Sequence, residues 1–377
     1  MSGIFVKKHA EAVARFCDVA VLYVKTHSER KRPRYHLQSE VEDDIITMRV
    51  RCRTSSFPIL KRFVNLIRYF RGVRIGLKAL RKDWGNPQLV HVQVAWPAGL
   101  AALLLNLISR IPYIITEHWT GYIEYSDLFS KSSVILKSLT RVIFKKAAGC
   151  TAVSQYLLNS LKQNDFLRHQ GFNVPNVVCL PGESFNFRKK PRRIRILTIS
   201  LLNDKQKNVS GLIEAFGEVV KKYPDARLDI IGDGADREPV TDLAANLGLL
   251  DKNVFFQGYV PNCELYKWFA RANFFVLNSN YETFSVATAE AIAHGVPVVV
   301  TKCGAPEEFV NKTVGILVER NDKQSLVEGI EYMIKNWRKY DPTKLYAYAK
   351  ARFSTEIVGR QFYEIYKNIL ARVGTDV

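Results

Sequence analysis

Glu282 and Glu290 stand eight positions apart in the run Asn278-Ser-Asn-Tyr-Glu-Thr-Phe-Ser-Val-Ala-Thr-Ala-Glu-Ala-Ile-Ala-His-Gly-Val-Pro-Val-Val-Val. Ser285 can cap a helix through Ala287, Ala289, Ala291 and Ala293. Gly295 can end that helix in a left-handed cap, and Pro297-Val-Val-Val reads as a buried strand. One carboxylate then lies on the loop before the helix and the other inside it. Eight helical residues span about 12 Å at ~1.5 Å per residue. That is comparable to the ribose-to-sugar distance in an extended nucleotide sugar, whose two ends both carry hydroxyls that a carboxylate can accept from. Taken alone, the pair is better read as solvated charges near a helix start.

The elements that position this run are read from periodicity. Short apolar strands alternate with longer amphipathic helices, the pattern of doubly wound parallel sheets. In the first half the strands are Val19–Val24, Ile45–Val50, Leu89–Val94, Tyr113–His118 and Gly149–Val153, with helices that include Gly99–Ser109 and Ser154–Lys162. The basic stretch Asn186-Phe-Arg-Lys-Lys-Pro-Arg-Arg breaks the rhythm and reads as a linker. Six strands follow it. The 377 residues, 47% apolar, are too many for one core and divide into two domains.

Charge is distributed unevenly. Residues 1–190 hold 30 Lys and Arg against 13 acids, a net +17, whereas residues 191–377 hold 25 against 23, a net +2. The excess concentrates between Arg51 and Asp83. There Leu66, Phe70, Val73, Leu77 and Leu80 recur at helical spacing, with Arg68, Arg71, Arg74, Lys78, Arg81 and Lys82 to one side. Such a helix over residues 61–82 suits an anionic membrane surface as well as it suits a core helix with a solvated basic face. Gly72 and Gly76 weaken it. The sequence pI near 9.6 also fits nucleic acid, but no recognised nucleic-acid motif accompanies it, and that partner ranks last. No apolar run reaches ~18 residues, the start does not read as a signal peptide, and six cysteines show neither paired nor metal-type spacing. A reduced, cytoplasmic setting is expected, with peripheral attachment to the inner face of a membrane as an option.

The Glu282-to-Glu290 pattern resembles the Glu-x7-Glu signature of the retaining family 4 glycosyltransferases. Thr301-Lys-Cys-Gly-Ala-Pro-Glu-Glu-Phe-Val, Gly315-Ile-Leu-Val, Arg193-Ile-Arg-Ile-Leu-Thr-Ile-Ser, Leu228-Asp-Ile-Ile-Gly-Asp-Gly and Val254-Phe-Phe-Gln-Gly-Tyr-Val are similar to that family's motifs in order and spacing. The resemblance implies an α/β GT-B fold, two Rossmann-like domains facing across a cleft. It places the acceptor-side domain at residues 1–188, the nucleotide-sugar domain at 189–354 and a helix at 355–377 crossing back onto the first. It also implies that the first strand of the N-terminal domain is missing, since the chain opens directly at Gly3-Ile-Phe-Val-Lys-Lys-His.

The same resemblance assigns roles. His118 would contact the sugar beside the reacting carbon, and Glu282 would accept from the sugar's hydroxyls. The amides of Thr283, Phe284 and Ser285 would line sugar and phosphate, and Glu290 would hold the ribose. Lys207 would bind the diphosphate, with Lys205 replacing an arginine that family members carry near Ser200 or Leu201. Glu307 and Glu308 compete for the acid after the glycine turn, with spacing favouring Glu308. Gly3 matches the phosphate-loop glycine, and His91, which opens a strand, reads as a packed residue. The expected reaction is metal-independent transfer of a hexose, without cofactor, from a UDP- or GDP-sugar to a saccharide or polyprenyl-linked acceptor. Surface polysaccharide or glycolipid synthesis is the expected setting. The alternatives are a non-catalytic nucleotide-sugar or saccharide binder of the same fold, or a GT-B epimerase or phosphorylase.

Overall fold

A computed structural model describes residues 4–28, 33–42, 45–55, 60–126, 128–169, 171–182 and 193–374. Gly3 and all but the last residue of the expected linker lie outside them. The first half runs α1 (Ile4–Ala14), β1 (Ala20–His27), β2 (Tyr35–Glu42), β3 (Ile45–Arg53), α2 (Lys61–Trp84), β4 (Val90–Gln93), α3 (Leu100–Ser109), β5 (Tyr113–Glu117), α4 (Val134–Lys146), β6 (Gly149–Ala152), α5 (Gln155–Gln163) and β7 (Phe172–Asn173). All five residues of β5 are buried, as befits a parallel strand covered on both faces.

Among the described residues this half holds two sheets, ordered β1-β3-β2 and β4-β5-β6-β7. β1 and β4 are each edge strands of their sheets. β2 departs from the sequence expectation, which has no strand there. It pairs antiparallel with β3 from Tyr35 opposite Cys52 to Glu42 opposite Ile45. Tyr35, Leu37 and Val41 alternate with polar residues along it, a short strand signal that the sequence reading passed over, and Arg49 of β3 ties it down through ion pairs to Glu40 and Glu42.

The basic segment forms the 24-residue α2, which lies on β1 and β3. Gly72 and Gly76, expected to weaken this helix, are its buried contact points. A Cβ on Gly76 would lie 2.3 Å from Leu22 Cδ1 and 3.1 Å from Val50 Cγ2, and one on Gly72 2.6 Å from Cys52 Sγ. The glycines let the helix backbone approach the sheet. Gly76→Leu is therefore expected to destabilise the protein by ~1–3 kcal/mol through overpacking, although leucine is the better helix former. A lowered urea midpoint at unchanged m-value is the expected reading; an unchanged midpoint would show that α2 floats on the sheet.

The second half runs β8 (Arg195–Ile199), α6 (Asp204–Lys207), α7 (Val209–Lys222), β9 (Arg227–Ile231), α8 (Arg237–Asn246), β10 (Val254–Gly258), α9 (Leu265–Phe269), β11 (Phe274–Leu277), α10 (Val286–Ala293), β12 (Val298–Thr301), β13 (Gly315–Val318), α11 (Lys323–Asn336), α12 (Pro342–Phe353) and α13 (Thr355–Val373). Its sheet is parallel throughout in the order β10-β9-β8-β11-β12-β13. The winding reverses between β8 and β11, where open α/β sheets leave a crevice at the carboxyl ends of their strands. α7 and α11 share one core below the sheet, with Leu212, Phe216 and Ile330 fully buried. α10 and α12 belong to a core continuous with the first half.

α13 packs on α1 rather than on the sheet that precedes it. Phe362, Ile365, Tyr366 and Ile369 share a core with Ala12, Val13 and Ile114. A Cβ on Gly359 would stand 2.1 Å from Ala12 O, so the helix backbones nearly touch. Among the described residues no helix is long and apolar enough to cross a membrane.

Candidate active site

The crevice between β8 and β11 opens into a cavity of about 310 Å³ whose opposite wall is the first domain. β8 and β11 deliver Ser200, Leu201 and Leu277 to it, while His118 and Phe5 come from the other side. Two glycines after β9 seat the β8 loop: a Cβ at Gly232, where φ is +136°, would lie 1.8 Å from Ser200 O, and one at Gly234 would lie 2.3 Å from Leu202 O.

Glu282 sits 5% exposed on the loop after β11. Its amide donates to Cys303 O, fixing the loop to the end of β12. Its carboxylate accepts from Lys207 Nζ at 2.5 Å and from Ser279 Oγ at 2.8 Å. Lys207 is the last residue of α6, and Asn208 behind it takes a left-handed φ of +45° and caps α7 through Gly211 N. Asn278 Nδ2 donates to Asn208 O, so the loops of both partners are tied together. A lysine and a carboxylate are thus paired inside the cavity.

Thr283, Phe284 and Ser285 follow along the cavity wall ahead of α10. Thr283 Oγ1 donates to His118 O across the interface at 3.2 Å. Phe284 anchors the turn in an aromatic cluster with Phe309 and Phe353. Ser285 holds the N-cap position but does not cap the backbone as expected. Its Oγ pairs with Thr288 Oγ1 at 2.8 Å, and its φ of +68° is a left-handed value uncommon outside glycine. Strain of this kind is retained where surrounding packing enforces it, here at the wall of the cavity. Gly295 does take the expected left-handed φ, +69°.

His118 lies just past β5 with its Nε2 2.8 Å from Gln93 Oε1. Gln93 Nε2 continues to His91 Nε2, whose ring also meets Tyr366 OH and Thr116 Oγ1, both at 2.5 Å. Since Gln93 Oε1 can only accept, His118 carries its proton on Nε2 and keeps an acceptor lone pair on Nδ1. Burial, reinforced by His9 and His91, holds His118 well below its ordinary titration range, so it is neutral at physiological pH. Phe5 packs on its ring at 4.4 Å between centroids. His118 can therefore position and accept, but it does not act as a standing cation.

Six of the expected residues meet at this cavity: His118, Lys207, Glu282, Thr283, Phe284 and Ser285. Three others do not line it. Lys205 is exposed on the outer side of α6, where its backbone oxygen receives Asn280 Nδ2. Glu308 turns to the first domain, accepting from Gln155 N at 2.9 Å and Tyr156 N at 2.6 Å at the start of α5, where the helix dipole favours an anion. Its neighbour Glu307 takes Gly304 N at 2.8 Å. Glu290, 6% exposed inside α10, pairs with Lys8.

The sequence reading missed Phe5, Lys8, Gln93 and Glu117. Glu117 is fully buried, accepts the amides of Ala95, His118 and Trp119, and is pushed up to about 7 by that burial. Its place one residue before His118 is the signal that could have found it. Among the described residues no group of three His, Cys, Asp or Glu side chains is placed to hold a metal ion.

Two α/β domains closing over a lysine, a carboxylate and a turn of amides define the class, a glycosyltransferase of the GT-B fold. Residues 3–179 match the family described as Glycosyltransferase Family 4 and residues 183–352 the one described as Glycosyl transferases group 1. The chain belongs to these family 4 glycosyltransferases. An uncharacterized glycosyltransferase of Methanocaldococcus jannaschii is 25% identical over 295 residues, 74% of this chain and 75% of its own. The alpha-monoglucosyldiacylglycerol synthase of Acholeplasma laidlawii is 28% identical over 260 residues, covering 62% of this chain and 64% of its own. Sucrose-phosphate synthase from Thermosynechococcus elongatus superposes with a TM-score of 0.77 over 99% of this chain and 94% of its own at 19% identity. Anabaena HepE in complex with UDP and glucose gives 0.67 over 92% and 100% at 16%. Structures this distant speak for the fold.

Proposed function

We propose that the protein transfers a hexose, with retention of configuration and without a metal, from a UDP- or GDP-sugar to a hydroxyl of a saccharide or lipid-linked saccharide. The observation that carries this reading is the meeting of Lys207, Glu282 and neutral His118 with the Thr283–Ser285 turn in one cavity at the strand ends. Glycosyl transfer needs charge stabilisation on a departing diphosphate and an oxocarbenium-like ring more than it needs a strong nucleophile. On this reading Lys207 moves from Glu282 to the diphosphate, which frees Glu282 to accept from the sugar's hydroxyls. The amides before α10 face the sugar and phosphate, and Glu290, buried behind the cavity wall in its pair with Lys8, takes the ribose once the donor opens that position. The C1–O bond to the diphosphate breaks, the bond to the acceptor oxygen forms on the same face, and the acceptor's proton passes to the leaving phosphate. The structure of a UDP and glucose complex in a fold neighbour supports a nucleotide-sugar donor.

A thermal-shift screen of UDP-, GDP- and ADP-sugars tests the donor class. Binding without transfer to any saccharide or lipid-linked acceptor would favour the non-catalytic alternative.

A lipid-linked acceptor is supported by the glycerolipid named for one relative and by α2. Its solvent face carries Phe63 and Ile67 toward one end and Arg71, Arg74, Lys78 and Lys82 toward the other, an amphipathic face suited to the inner leaflet. Replacing Arg71, Arg74 and Lys78 with glutamate is expected to weaken binding to phosphatidylglycerol vesicles on the order of 100-fold or more, at about 1 kcal/mol per removed cation. Undiminished sedimentation with vesicles would mark α2 as a solvated face only.

A further inference from the structure

Lys8 reaches from α1 across the cleft to Glu290, Nζ 3.4 Å from Oε1, with the two side chains only 11% and 8% exposed. Phe5, Lys8 and His9 lie on one face of α1, at i, i+3 and i+4. Phe5 lines the donor cavity and covers His118, and His9 packs against His118 and Phe362. α1 is held in place from behind by the close approach of Gly359 to Ala12. The helix is therefore a fixed wall of the donor site, and its one buried cation is aimed at the second carboxylate of the Glu-x7-Glu pair.

We propose that Lys8 is a positioning residue for the donor: from the first domain it holds the Glu290 carboxylate, which lies just behind the cavity wall, in the orientation that the ribose hydroxyls require. The proposal rests on the reading of Glu290 as the ribose acceptor. A carboxylate offers about four acceptor positions. Lys8 Nζ and the Cys179 amide each take one, which leaves capacity for a vicinal pair of hydroxyls. Among the described residues Lys8 is the cation that acts on Glu290, and it offsets the cost of a buried charge. Burial raises the Glu290 carboxyl and Lys8 pulls it back, while burial depresses Lys8 and its contacts with Glu290 and Cys179 more than reverse this. The titratable groups facing Glu290 are Lys8 on α1 and Cys179 after β7. His294, one turn on, bonds Glu290's backbone oxygen, and α12 adds Leu345 and Ala349 to the same core.

The test needs no donor at first. A carboxyl whose folded value is raised above its unfolded one stabilises fully below the unfolded value, and that stability is lost as pH rises through the folded value. Lys8→Met should therefore match the wild type in urea midpoint near pH 5 and fall below it progressively toward pH 8. Lys8→Met/Glu290→Gln should be flat over the same window. Calorimetry then follows UDP, GDP and ADP, and the parent nucleoside of whichever binds. Lys8→Met should weaken diphosphate and nucleoside alike by about tenfold, the loss of one charge-assisted contact. Lys8→Arg should restore most of both. A flat pH response in Lys8→Met overturns the proposal. So does a loss confined to the diphosphate, which would make Lys8 a phosphate ligand. Undiminished nucleoside affinity in Glu290→Gln overturns the ribose assignment, and with it the donor role of Lys8, even where the pH response persists.

Discussion

Glu282→Gln is expected to lower kcat/KM for sugar transfer by ~10²–10³-fold while the protein stays folded, with a smaller loss of stability than Lys207→Met because glutamine can still accept from Lys207. Glutamine keeps the size of the side chain and an oxygen that can still accept from Ser279 Oγ at its present 2.8 Å. What it removes is the negative charge beside Lys207 and an acceptor able to take more than one hydroxyl. On the proposed reaction those hydroxyls belong to the ring that gains positive character, so the loss should fall mainly on kcat. Single-turnover rates with saturating donor check this. A variant that turns over within a few-fold of wild type would take Glu282 out of the chemistry.

Lys207→Met should do two separable things. It removes the cation expected on the diphosphate, and it leaves a carboxylate that is only 7% exposed without its ionic partner. Breaking a buried pair from one side typically costs ~3–5 kcal/mol, because the remaining charge is stranded away from water. The single variant should be strongly destabilised, and Lys207→Met/Glu282→Gln should recover most of that stability without recovering activity. Urea unfolding and transfer assays on both variants read the two effects independently. Equal stability of single variant and wild type would mean that water, not Lys207, solvates Glu282.

The second half was the more legible in sequence, and the reason is physical. Its parallel strands are buried on both faces and read as continuous apolar runs, as in Phe274–Leu277 and Val298–Thr301. In the first half β2 sets Tyr35, Leu37 and Val41 on one face but leaves Leu37 and Val41 exposed, and it is held by Arg49 on its partner strand, a contact that no hydropathy pattern encodes. The same limit governs the site. Glu282, Thr283 and Ser285 were readable because they lie on one local turn. Lys8 and Glu290 are 282 positions apart, and nothing local to either announces the other. Lys205 and Glu308 were assigned by spacing along a loop, but spacing does not say toward which face a side chain turns. Glu308 turned to the amides of α5 because a helix start offers an anion unsatisfied donors.

α13 is encoded last yet belongs to the first core, and its Tyr366 hydroxyl is joined to His118 through His91 and Gln93. Modular exchange between relatives therefore does not follow the order of the gene. A hybrid cut once between the halves would give the first half a foreign terminal helix, with a new surface against α1 and a new end to the hydrogen-bonded chain. Two crossovers, the second near Ser354, would keep that inheritance intact.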